Sequence, residues 1–73
     1  MKTVNTNFID WAVVCVNEFA KSKKIPPGTA FQYLLTYGGL EFIEEHYEAE
    51  HLLSIEDTID DINHICRQNG GKL

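Results

Sequence analysis

The residues of this 73-residue chain that could do chemistry are three histidines, two cysteines and a run of carboxylates. His46, Glu50 and His51 lie close together, and His64 follows further on. His46 and Glu50 are four apart and can share one face of a helix, whereas His46 and His51 are five apart and diverge. The His-Glu-x-x-His pattern, which sets two imidazoles and a base on one face, is absent. A metal-dependent enzyme using His46, Glu50, His51 and His64 is therefore disfavoured against ordinary helix histidines, and no metal ligand is assigned. His64 follows Asp60 and Asp61 by four and three residues; their charges favour its protonated form, and a solvated ion pair accounts for the pattern.

Nucleophilic and acid–base catalysis are no better supported. Cys15 and Cys66 fall in apolar, helix-periodic stretches with no local activating partner, and burial raises a thiol's pKa. Two cysteines are too few for a disulfide scaffold, so both are expected to be reduced packing residues. Carboxylates abound, but acid–base work needs two of them in unlike surroundings within a cleft. Gly38-Gly39 lacks the further glycines and the lysine of a phosphate loop. The sequence thus predicts a protein that is not an enzyme, with no catalytic residue and no cofactor.

The charge balance carries more. Eleven acidic against six basic residues give a net charge of −5, which argues against a nucleic-acid partner, because phosphate neutralisation needs clustered cations. From Ile25 to Cys66 there is no lysine or arginine, while every acid except Asp10 and Glu18 falls there. Such a surface is either a solubilising face or a docking surface for a basic protein, where charge complementarity raises the association rate. Glu41, Glu44, Glu45 and Glu48 fall within an arc of about 100° on one helix and would steer a partner's approach. Trp11 and Tyr47, read as exposed aromatics at the edge, would be buried on contact. No apolar run reaches the length of about 18 residues that spans a bilayer. The start, Met1 to Asn7, lacks the features of a signal peptide, so no membrane partner and a cytoplasmic location are expected.

Helical spacing recurs from end to end, which predicts one all-α domain of four short helices over residues 1–73, ordered from about 8 to 68 and frayed at both termini. Helix one should run from about Phe8 to Ser22 with Asn7 as N-cap. Phe8, Ala12, Cys15, Val16 and Phe19 share one face, and Trp11, Val13 and Val14 lie outside it. That apolar girth is wide for a surface helix: either helix one is the central element or part of it meets another chain. Ile25-Pro26-Pro27-Gly28 breaks the chain, with Pro27 suited to the next helix's first turn. Helix two should bury Ala30, Phe31, Leu34 and Tyr37, and Gly38-Gly39 stop it. Helix three starts near Leu40 and reaches at least Tyr47, with Leu40, Ile43 and Tyr47 inward; its continuation through Leu53 is open. Helix four begins at an N-cap, Ser54, with acids in its first turn, and buries Ile55, Ile59, Ile62 and Cys66 before Asn69-Gly70-Gly71. Lys72 and Leu73 should fray.

Two stretches, Phe8-Ile9-Asp10-Trp11-Ala12-Val13-Val14-Cys15-Val16-Asn17-Glu18-Phe19-Ala20 and Phe31-Gln32-Tyr33-Leu34-Leu35-Thr36-Tyr37-Gly38-Gly39, resemble a family of small bacterial proteins known as domain of unknown function 3791. Phe42-Ile43-Glu44-Glu45-His46-Tyr47-Glu48-Ala49-Glu50-His51, Leu53-Ser54 and Asp60-Asp61-Ile62 continue the likeness, which covers about residues 8 to 68. Glu50 stands where the family usually has leucine, which puts in doubt a core position for His51. Members of that family are uncharacterised helical proteins, some encoded beside an ADP-ribosyltransferase-like protein. The resemblance implies an antitoxin-like, neutralising role for a paired protein and brings no catalytic residues with it. The rival expectation is a self-associating structural protein, a homodimer through helix one.

Overall fold

The computed structural model describes residues 6–73 as five α-helices: α1 (Thr6–Lys23), α2 (Pro27–Thr36), α3 (Gly39–Glu45), α4 (Tyr47–Glu50) and α5 (Ile55–Gln68). Among the described residues there is no strand. The all-α expectation holds, with one element more than foreseen, because the third helix divides at His46. α1 is central and packs against α2, α3 and α5. Cys15, Phe19 and Ala20 from α1 meet Ala30 and Leu34 from α2, Ile43 from α3, and Ile59, Ile62 and Cys66 from α5 in a single buried cluster.

α1 begins at Thr6, so Asn7 lies inside the helix and is not its N-cap. The expected fraying on residues 1–5 lies outside the described residues. Lys21 and Lys23 occupy the last turn, where cations offset the exposed carbonyls. Lys24 then takes the left-handed conformation, φ 57°, and lets Ile25 N–H reach the Ala20 carbonyl at 3.0 Å. That position favours glycine, since a Cβ crowds the following carbonyl. Lys24→Gly is expected to stabilise the protein by roughly 1 kcal/mol, read as a higher urea midpoint; an unchanged midpoint would show that the cap carries no strain.

Pro26 is extended and Pro27 opens α2, as its missing N–H permits. Gly38, at φ 80°, makes the left-handed reversal before α3. Gly39 has a different task. A Cβ there would stand 2.9 Å from Leu34 Cδ2 and 3.0 Å from Cys66 Sγ, so its bareness lets α3 lie close on α2 and α5. Asn69 Nδ2 donates to the Tyr37 carbonyl at 2.8 Å, fixing this turn to the end of α5.

No glycine or proline announces the break at His46. Its ring lies 4.9 Å from that of Phe42, while the next residue, Tyr47, packs on α1; tertiary contacts here override local propensity. α4 ends at Glu50, and the chain turns through Leu52 and Leu53, both exposed, so the helix does not continue through Leu53. Ser54 caps α5 as expected, its Oγ accepting from Asp57 N–H at 3.1 Å. Thr58, fully buried, donates from Oγ1 to the Glu50 carbonyl at 3.0 Å and holds α4 on α5. The carboxyl end, where fraying is expected, makes two contacts with the body of the fold. Leu73 N–H donates to the Tyr33 hydroxyl at 3.2 Å, and Arg67 Nε donates to the Leu73 carbonyl at 2.9 Å.

Candidate docking surface

α3 is seven residues long and buries Gly39 and Ile43, so its remaining side chains face outward or along its flanks. Glu41, Glu44 and Glu45 follow at i, i+3 and i+4, and that spacing gathers them on one side of the helix. Beside them runs an open groove of about 750 Å³. Its floor and far wall include Ile9 and Val13 of α1, Phe31 and Leu35 of α2, and Leu40 of α3. All but Leu40 of these are exposed apolar side chains, with Val13 at 54% and Leu35 at 55% of their full accessibility. The structure thus sets three of the glutamates beside exposed Val13, one of the apolar residues of helix one that lie outside its core face; Val14, also exposed, does not line the groove.

Not every anticipated residue joins it. Glu48 lies on α4, is exposed, and does not line the groove. Trp11 and Tyr47 are half-buried rather than exposed. Their rings meet edge to face at 5.3 Å, and Tyr47 also meets Phe8 at 5.6 Å. His51, itself exposed, stacks on the outer face of Tyr47 at 4.5 Å. Trp11 and Tyr47 therefore bind α4 to α1, and touch the groove only through Phe8, which lines its end. Phe31, expected in the core, is exposed at its edge. The sequence reading missed Ile9, Phe31 and Leu35 as surface residues. The available signal was that α2 is apolar on two sides: Ala30 and Leu34 point inward, and Phe31 and Leu35, also four apart, form a second row.

Glu50 is the other residue missed. It is buried, at 7% of full accessibility, and its Oε1 has no donor. Burial raises its pKa to about 7, with further upward contributions from the hydrogen bond and charge of Asp61. A second carboxyl beside a buried one disfavours its charged form, so Asp61 adds to what burial already does to Glu50. Asp61 precedes His64 by one turn of α5, as its spacing required, and also lies near enough to Glu50 to act on it. Glu50 follows Tyr47, a residue of the expected inward row, by three positions, and that spacing was the available signal.

The cysteines are buried and unpaired with each other. Burial, then the Glu50 charge, push the Cys15 thiol up to about 12, and burial raises Cys66 against an opposing hydrogen bond from Gly39. Neither is a thiolate nucleophile at neutral pH. No three His, Cys, Asp or Glu among the described residues converge to hold a metal ion, so His46, Glu50, His51 and His64 are not brought together. No helix among them is long and apolar enough to cross a membrane.

An all-α domain with an acid-rimmed apolar groove is the class of protein these features define. Residues 10–69 match the family model described as Protein of unknown function (DUF3791), and the chain belongs to that family. No curated protein and no solved structure gives a match.

Proposed function

We propose that this protein works without catalysis, as an acidic module that docks on a basic-surfaced protein partner and occludes it. The supporting observation is the juxtaposition of Glu41, Glu44 and Glu45 with exposed Ile9, Val13, Phe31 and Leu35 along one groove. Glutamates on a rim speed encounter and reject acidic competitors, while desolvated apolar contacts hold the complex. Glu48 adds to the field from α4; Trp11 and Tyr47 keep the groove's Phe8 end in place. An enzyme held inactive by occlusion, such as the ADP-ribosyltransferase-like neighbour implied by the family resemblance, is the kind of partner that suits this reading.

Capture of the partner from extracts at low and high salt tests the idea. Recovery should fall by an order of magnitude at high salt, and as far when Glu41, Glu44, Glu45 and Glu48 are reversed to lysine. Recovery unaffected by both changes removes the acidic face from the interaction. A second reading, self-association through α1, draws on the exposed Ile9, Val13 and Val14; sedimentation across concentration would then give a stable dimer of the isolated chain.

A further inference from the structure

We propose that the groove between α1, α2 and α3 receives a single amphipathic basic helix from the partner, apolar side down and lysines or arginines along α3. The inference rests on the docking reading and specifies its occupant. Three observations carry it.

The first is length. The groove's α1 wall runs from Phe8 to Val16, a span of about 12 Å at a helical rise of 1.5 Å per residue. The i, i+4 and i+7 anchors of an incoming helix span about 10 Å, so one helical segment of two turns fills the trough. The second is the asymmetry of its walls. Val13 of α1 and Phe31 and Leu35 of α2 contribute apolar lining, while Glu41 and Glu45 of α3, beside Leu40, contribute the charged lining. An occupant must therefore be apolar across its face and cationic along one flank, which is the pattern of a basic amphipathic helix. The third is what a second copy would offer. Among the described residues no lysine or arginine lines the groove, and each chain carries a net charge of −5. An isologous dimer presents the same patch twice, so it would bring no cation to Glu41 and Glu45 and would set two acidic surfaces against each other.

The probe is a synthetic amphipathic helix of about five turns, with leucines on one face and lysines along its flank, titrated into isotope-labelled full-length protein and followed by NMR. Backbone shifts should concentrate at Val13, Phe31, Leu35 and Leu40. The same peptide with glutamate for lysine, and a scrambled peptide of equal composition, should each bind at least roughly tenfold more weakly. Leu35→Glu separates groove binding from plain charge attraction, because it adds a negative charge yet blocks the apolar floor. It should weaken the lysine peptide about tenfold or more, and Val13→Glu should do the same. Both positions are exposed, and unchanged circular dichroism would show that the fold survives.

Equal or tighter binding by both variants overturns the proposal in favour of nonspecific attraction. A dimer of the free chain that Leu35→Glu dissolves would assign the face to a second copy, and through-space contacts from Val4 to Phe31 or Leu35 would assign it to the chain's own first residues; either result also overturns it. If the peptide fails while glutamate reversal still abolishes partner capture, the docking function stands and its helical occupant falls. If capture ignores the reversal, the docking function itself falls.

Discussion

Raising the pH from 5 to 8 is expected to destabilise this protein, the opposite of the usual behaviour of a chain whose carboxylates are paired with cations. The cause is Glu50, buried at the end of α4, where desolvation first and then the neighbouring half-buried Asp61 disfavour its charged form. Glu50 holds its proton to about pH 7 when folded, against about 4.5 as its ordinary value. Below the ordinary value both folded and unfolded chains are protonated there, and the contribution of Glu50 is fully present. Between the two values the folded state binds a proton that the unfolded state has released, so stability falls as pH rises and the contribution is gone above about 7. The slope approaches about 1.4 kcal/mol per pH unit, and the whole effect is roughly 2 to 3 kcal/mol. For a domain of this size that lowers Tm by roughly 10 °C or more. Glu50→Gln isolates the cause from the general relaxation of a chain of net charge −5. Its amide can donate to Asp61 at any pH, so the variant should gain stability at pH 8 and show a flatter profile. A wild-type Tm that climbs from pH 5 to 8, or a Glu50→Gln that is less stable at pH 8, would mean that Glu50 does not keep its proton in the folded state.

The parts of this fold that sequence makes legible are those fixed by local chemistry. Ser54 reads as a cap because a hydroxyl before a first turn of acids has one useful thing to do, and its bond to Asp57 N–H is there. Pro27 and Gly38 mark their turn and helix start for equally local reasons. Cys15, Phe19, Ile62 and Cys66 follow from periodicity alone. What local chemistry leaves open is which of two apolar faces goes inward. α2 offers Leu34 on one side and Phe31 with Leu35 on the other, and packing on α1 decides between them. The break at His46 and the docking of Leu73 on Tyr33 are likewise decided by residues distant in the chain. The candidate site was half legible: the glutamates of α3 stand on one side as their spacing requires, whereas the groove beside them needs three helices to assemble before it exists. Trp11 and Tyr47, 36 positions apart in the sequence, could not be known to meet each other.

Phe19→Ala should cost roughly 3 to 5 kcal/mol, a large part of the stability of any domain this small, for which a total of about 4 to 11 kcal/mol is ordinary. Phe19 is fully buried, lies at the centre of the core, and stacks on Tyr33 at 5.7 Å. Removing the ring leaves a cavity that α2 and α5 can close only by moving, and Tyr33, whose hydroxyl accepts from Leu73 N–H, loses one of its two aromatic neighbours. The unfolding midpoint in urea should drop accordingly, or the chain should be largely unfolded without denaturant. Val13→Ala, on the same helix six positions earlier, is the informative contrast. Val13 is more than half exposed, so its loss should change stability by no more than about 0.5 kcal/mol. If both results hold, the apolar side chains of α1 divide into a set that folding uses and a set that it does not. A Val13→Ala cost close to that of Phe19→Ala would place Val13 in the core and leave the groove without its α1 wall.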